Sequence, residues 1–84
     1  MPKQFVTVAH TNLDRVGFRA LTYDHNKIVK EPEPAGYRGE MAIVECADSY
    51  LANYQADRYS SAMIGAKVHN SLDAAETYIE EHKE

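Results

Sequence analysis

The sequence predicts an α+β fold: a small antiparallel sheet of three to four strands with two amphipathic helices packed on one face. Three observations carry that expectation. The front of the 84-residue chain alternates in β-branched and polar residues, a proline-rich break follows at 31–36, and the back half repeats its apolar residues at helical spacing. A chain of this length has room for one core, so residues 1–84 are expected to form a single domain.

The elements follow in order. Phe5, Thr7 and Ala9 alternate with Val6, Val8 and His10, which is strand patterning. Thr11 to Arg15 supplies a hairpin connection, and Val16 to Tyr23 reads as a second strand. Leu13, Val16, Ala20 and Tyr23 also fit a helix with Asn12 as its cap; Gly17, which costs a helix about 1 kcal/mol against alanine, tips the choice to strand. Asp24-His25-Asn26 is turn chemistry, and Lys27 to Lys30 is a short strand pairing back onto Val16–Tyr23. The β-rich region thus runs over 4–31. Pro32 and Pro34 end it in a loop over 32–39, because each proline removes a ladder donor.

The spacing of Ile43, Val44, Ala47, Tyr50, Leu51 and Tyr54 predicts a helix over about 40–58, with Gly39 as its cap. Met63, Ile64, Ala66 and Val68 predict a strand over about 62–68, with Gly65 as a bulge or edge position. Asn70 or Ser71 then caps a helix over about 71–82, whose inner face is Leu72, Ala75, Tyr78, Ile79 and His82.

Composition narrows the function classes. Nine basic against thirteen acidic side chains give a net charge of -4, which disfavours direct nucleic-acid binding by phosphate neutralisation. No apolar run approaches the roughly 18 residues of a membrane span, and no signal-peptide pattern opens the chain, so a soluble, cytoplasmic protein is expected. Cys46 is the single cysteine, which excludes an intrachain disulfide and suits a reducing compartment. His10, His25, His69 and His82 show no metal-ligand spacing, so no metal and no cofactor are expected. Cys46 lies beside the apolar arc without a partnered base, and no nucleophile motif is present. The expectation is a protein that is not an enzyme, with no catalytic residues.

Charge placement is more informative. Residues 1–42 carry six basic and five acidic groups, whereas residues 43–84 carry three and eight. Asp73, Glu76, Glu80 and Glu84 fall on one solvent-facing stripe of the last helix, opposite Leu72, Ala75 and Ile79. Acids in a final helical turn oppose the macrodipole, and like charges four apart repel, so the choice is locally unfavourable and points to a role. The stripe is expected to engage a protein partner with a basic surface. Tyrosine pairs apolar area with a polar tip and is enriched in interfaces, so Tyr37, Tyr50 and Tyr54 join the expected partner-binding set.

In general character, an acidic α+β domain with a carboxylate stripe and no catalytic motif, the chain resembles the small phage-encoded inhibitors of bacterial defence, the anti-CRISPR and anti-restriction proteins. That resemblance implies a non-catalytic module that blocks a nucleic-acid-handling host protein by charge mimicry. Two other readings stand beside it. One is a small homo-oligomeric structural protein, such as a homodimer through sheet edges or the tyrosine-bearing helix. The other is RNA binding through Gly36-Tyr37-Arg38-Gly39, which is similar to the clamp loop of KH-type domains.

Overall fold

The computed structural model describes residues 3–10, 15–34, 39–62 and 65–81. Their order is β1 (Gln4–His10), α1 (Arg15–Leu21), β2 (Lys27–Pro34), β3 (Glu40–Cys46), α2 (Ser49–Ser61), β4 (Gly65–His69) and α3 (Leu72–Glu81). The strands form one antiparallel sheet in the order β2-β3-β1-β4. From β1 to β4 the connectivity is that of the split β-α-β, or ferredoxin-like, arrangement, with α3 following it. The protein is an α+β fold, as expected.

Both faces of the sheet are covered. Val6 and Val8 of β1 and Ala42, Val44 and Cys46 of β3 pack against Phe18 of α1 and Ala52 and Tyr59 of α2. The alternate residues, Phe5, Met41 and Ile43, pack against Ala75 and Ile79 of α3. Two helices therefore share one face, but they are α1 and α2, and α3 lies on the other.

This double cover explains the largest departure from the sequence reading. The expected helix over 40–58 is in fact β3 followed by α2. A strand buried on both faces reads as a continuous apolar run, so Met41-Ala42-Ile43-Val44 loses the alternation that marks a half-buried strand. The true cap of α2 is Asp48, whose carboxylate accepts from Leu51 N at 2.9 Å. Gly39 instead enters β3 with φ 94°, a left-handed conformation that favours glycine.

Val16–Tyr23 does not form the expected strand; Arg15–Leu21 is the helix α1. Burying a phenylalanine contributes about 1.5–3 kcal/mol, more than the roughly 1 kcal/mol that Gly17 costs, and Phe18 is fully buried against Tyr59 with ring centroids 5.8 Å apart. The expected partners change accordingly: β1 lies between β3 and β4, and β2 pairs with β3. Nor do the prolines end the strand at residue 31. β2 runs to Pro34 because it is an edge strand, where a missing donor costs nothing on the open side, and its register shifts twice against β3. Residues 35–38 of the expected 32–39 loop lie outside the described residues. β4 begins at Gly65, with 63–64 outside that set, and Ser71 caps α3 by accepting from Ala74 N at 3.1 Å.

A buried polar clamp holds the α1–β2 connection to α2. Gln55, fully buried, accepts from Tyr23 N and Asn26 Nδ2 at 2.7 Å each and donates to Leu21 O at 2.8 Å. Arg58 Nε donates to the same carbonyl at 2.8 Å. Next to it, Thr22 Oγ1 donates to Phe18 O and bonds the buried Tyr59 hydroxyl, both at 2.7 Å. Gln55→Ala keeps Leu21 O satisfied through Arg58 but leaves the Tyr23 N–H and the Asn26 amide without their acceptor. The expected loss is about 2–3 kcal/mol, read as a lower urea midpoint at unchanged m-value.

Candidate functional site

The strongest concentration of one charge on a single element is the outer face of α3. Asp73, Glu76, Glu80 and Glu81 are all exposed and, with Thr77, line a shallow open depression. Ala75 and Ile79 on the opposite side anchor the helix to the sheet, with Leu72 and Tyr78 partly buried beside them. At 1.5 Å per residue, the four carboxylates span about 12 Å of helix axis. The last turn carries no basic residue. Among the described residues the ion pairs are Lys3–Glu45 at 3.2 Å, Arg19–Glu31 and Lys30–Glu33 at 3.8 Å, and Asp73, Glu76 and Glu81 belong to none of them.

Tyr50 and Tyr54 of the expected partner-binding set do not join this face. They lie on α2, on the other side of the sheet, and are 76% and 42% exposed. The expected apolar arc of that helix was out of phase, because it was counted from residues that belong to β3. The buried face of α2 is Ala52, Gln55 and Tyr59, which turns Tyr50 and Tyr54 outward. Tyr37 and Glu84 lie outside the described residues, as does most of the Gly36–Gly39 loop.

Two clusters escaped the sequence reading. Tyr54 meets Tyr23 edge to face at 5.4 Å between centroids, and Tyr23 meets His25 at 4.9 Å, forming an aromatic row. No local signal predicts it, because the Gln55 clamp brings together residues some thirty positions apart. The second cluster lies under α3. Thr7 Oγ1 and His69 Nε2 share a hydrogen bond of 2.9 Å, the His69 ring lies 5.0 Å from that of Tyr78, and Lys67 Nζ sits 5.4 Å over the same tyrosine. Beside it, a recess of about 210 Å³ is lined by Thr7, Ala9, Gly65, Ala66, Lys67 and Tyr78. Here β-strand alternation could have given the signal, since Thr7, Lys67 and His69 face one way once β1 and β4 are paired.

Burial, aided by Lys67, lowers the pKa of His69 from its ordinary 6.5. Burial also pushes the Cys46 thiol up to about 11, with the Asp48 and Glu45 carboxylates acting in the same direction. Tyr59 is raised to about 12, again chiefly by burial. A thiol held protonated in a core is a poor nucleophile. Among the described residues, no group of three or more His, Cys, Asp or Glu side chains could hold a metal ion, and no helix is long and apolar enough to cross a membrane.

Comparison with known proteins adds no function: no protein-family model matches the chain, and no curated protein or solved structure matches it significantly. The split β-α-β connectivity is shared by proteins of many functions and by itself assigns none.

His69 gives the pH prediction of this region. A histidine whose folded pKa lies below its unfolded value contributes stability that is present above about pH 6.5 and is lost as pH falls toward the folded pKa. Denaturant midpoints should drop through that window. The drop should be smaller in His69→Asn, since only the wild type loses the neutral imidazole; equal slopes in the two proteins would exclude His69 as the cause.

Proposed function

We propose that the protein is a non-catalytic binding module that presents the outer face of α3 to a basic surface on a protein partner. The observation that carries this reading is the density of charge on a firmly seated helix. Four carboxylates over about 12 Å is about one per 3–4 Å, close to the 3.4 Å charge spacing along one strand of a nucleic-acid duplex. Ala75 and Ile79 hold the helix against the sheet, so binding need not first order a flexible acidic tail.

The finer form of the reading follows from that spacing. The partner is a nucleic-acid-handling protein whose groove normally holds phosphates, and the module inhibits it by occupying that groove, in the manner of the phage-encoded inhibitors that the chain resembles. The tyrosines Tyr50 and Tyr54 occupy the opposite side of the molecule and are not part of this contact.

The test compares wild type with the triple variant Asp73→Asn, Glu76→Gln, Glu80→Gln as baits in an extract of the native host, with circular dichroism to verify folding. A partner held by wild type should bind the variant at least about tenfold more weakly, a difference of about 1.4 kcal/mol, and an oligonucleotide should compete for it. Equal affinity for both baits, or failure of wild type to retain any basic protein, overturns the reading.

A further inference from the structure

The recess of about 210 Å³ between β1, β4 and the flank of α3 differs in its lining from the acidic depression on the outer face of that helix. Thr7 and Lys67 are directly opposed across the β1–β4 pair, as are Ala9 and Gly65, and Tyr78 forms a wall from α3. Ala9, Gly65 and Ala66 are too small to fill the space between them. Its volume is the share of roughly seven water molecules, below the about 300 Å³ at which pockets for larger organic ligands begin.

The lining selects the sign of an occupant. Among the described residues no carboxylate borders the recess, and its one charged group, the Lys67 ammonium, belongs to no ion pair. The Tyr78 ring, 5.4 Å from Lys67 Nζ, attracts this exposed side chain and orders it without neutralising it. Thr7 is only 1% exposed, and its hydroxyl has one short bond, 2.9 Å to His69 Nε2; its contact with Lys67 O is long, at 3.4 Å. When Nε2 carries the imidazole proton and donates it to Thr7, the hydroxyl hydrogen is left for a better acceptor than that carbonyl.

We propose that this recess binds a small oxyanion, a phosphate or a short carboxylate, held by the Lys67 ammonium and the buried Thr7 hydroxyl. The net charge of -4 opposes any anion at a distance, so affinity is modest and rests on these short contacts. Binding is linked to His69, which Phe5 and Thr7 face from β1, Lys67 from its own strand and Tyr78 from α3. The Lys67 charge helps to hold His69 neutral. An anion that neutralises Lys67 therefore raises the His69 pKa, and affinity in turn rises as pH falls through it. No residue of the α3 stripe takes part, so this proposal and the function proposed above fail separately.

The test is an NMR titration with sodium phosphate and, separately, sodium acetate at constant ionic strength, with sodium chloride as control. Saturable shifts at Thr7, Lys67, His69 and Tyr78 are expected with at least one of the two anions and none with chloride, together with a raised His69 pKa. Saturation by phosphate alone assigns a phosphate ligand, and by acetate alone a carboxylate. Lys67→Met should weaken binding at least about tenfold and remove the His69 response. Ala9→Val, which fills the recess but keeps Lys67 and Thr7, should weaken it to a similar degree, with circular dichroism verifying the fold of each variant. Should Ala9→Val fail to fold, Lys67→Met and the wild-type selectivity over chloride decide. Non-saturating shifts with both anions, an equal response to chloride, or unchanged binding in Lys67→Met overturns the proposal.

Discussion

The fold depends on burying both faces of the two central strands at once. β1 and β3 present Val6, Val8, Ala42, Val44 and Cys46 to one layer and Phe5, Met41 and Ile43 to the other, so every side chain from Phe5 to Val8 and from Met41 to Val44 is withdrawn from water. A chain of 84 residues cannot fill a large single-sided core. Sandwiching the sheet between helices uses the same few strand residues twice, and it makes α3 an integral layer. Removing α3 would expose Phe5, Met41 and Ile43 together.

The second constraint is polar. α1 has only seven residues and would be marginal alone, since the last carbonyls of a short helix have no partner within it. Thr22, the residue after the helix, adds its backbone N–H and its hydroxyl to Phe18 O, and Arg58 and Gln55 of α2 supply partners to Leu21 O from across the core. Buried polar groups with their bonds made favour one arrangement over its neighbours, because any slip leaves several unsatisfied. This clamp also places Tyr23 against Tyr54, which is why the aromatic row on the α1–α2 side exists at all.

What could be read from the sequence follows from where polar residues interrupt the apolar ones. β1 was legible because its six-residue run from Phe5 to His10 mixes β-branched and polar residues, and α3 because one side is apolar and the other acidic. The α+β class needed little more. β3 was misread because its double burial erased the alternation, and the error carried into α2 by shifting the phase of the helix, so Tyr50 and Tyr54 entered the apolar arc whereas the buried face is Ala52, Gln55 and Tyr59. α1 was misread because a local propensity at Gly17 was weighed against a tertiary contact, Phe18 on Tyr59, that sequence spacing does not show. The proline rule failed at β2 for a topological reason, namely that only the strand order reveals which strand is an edge. On the candidate site, the stripe of Asp73, Glu76 and Glu80 was legible, since exposure of a helix face follows from its apolar opposite; the cluster of Thr7, Lys67, His69 and Tyr78 was not, since it requires the pairing of β1 with β4.

The arrangement of α3 explains how an unfavourable charge pattern persists. Glu76 and Glu80 repel one another at a cost of a few tenths of a kcal/mol, and acids near the helix C-terminus add about 0.3–1 kcal/mol each. Burial of Ile79 alone offsets this, at about 1.5–3 kcal/mol, with Ala75 and the partly buried Leu72 and Tyr78 adding to it. The strain is therefore carried by the contact with the sheet rather than relieved by unwinding. A helix held from below in this way keeps its carboxylates at fixed spacing. Neutralising them would remove the repulsion without any cost of first ordering the helix.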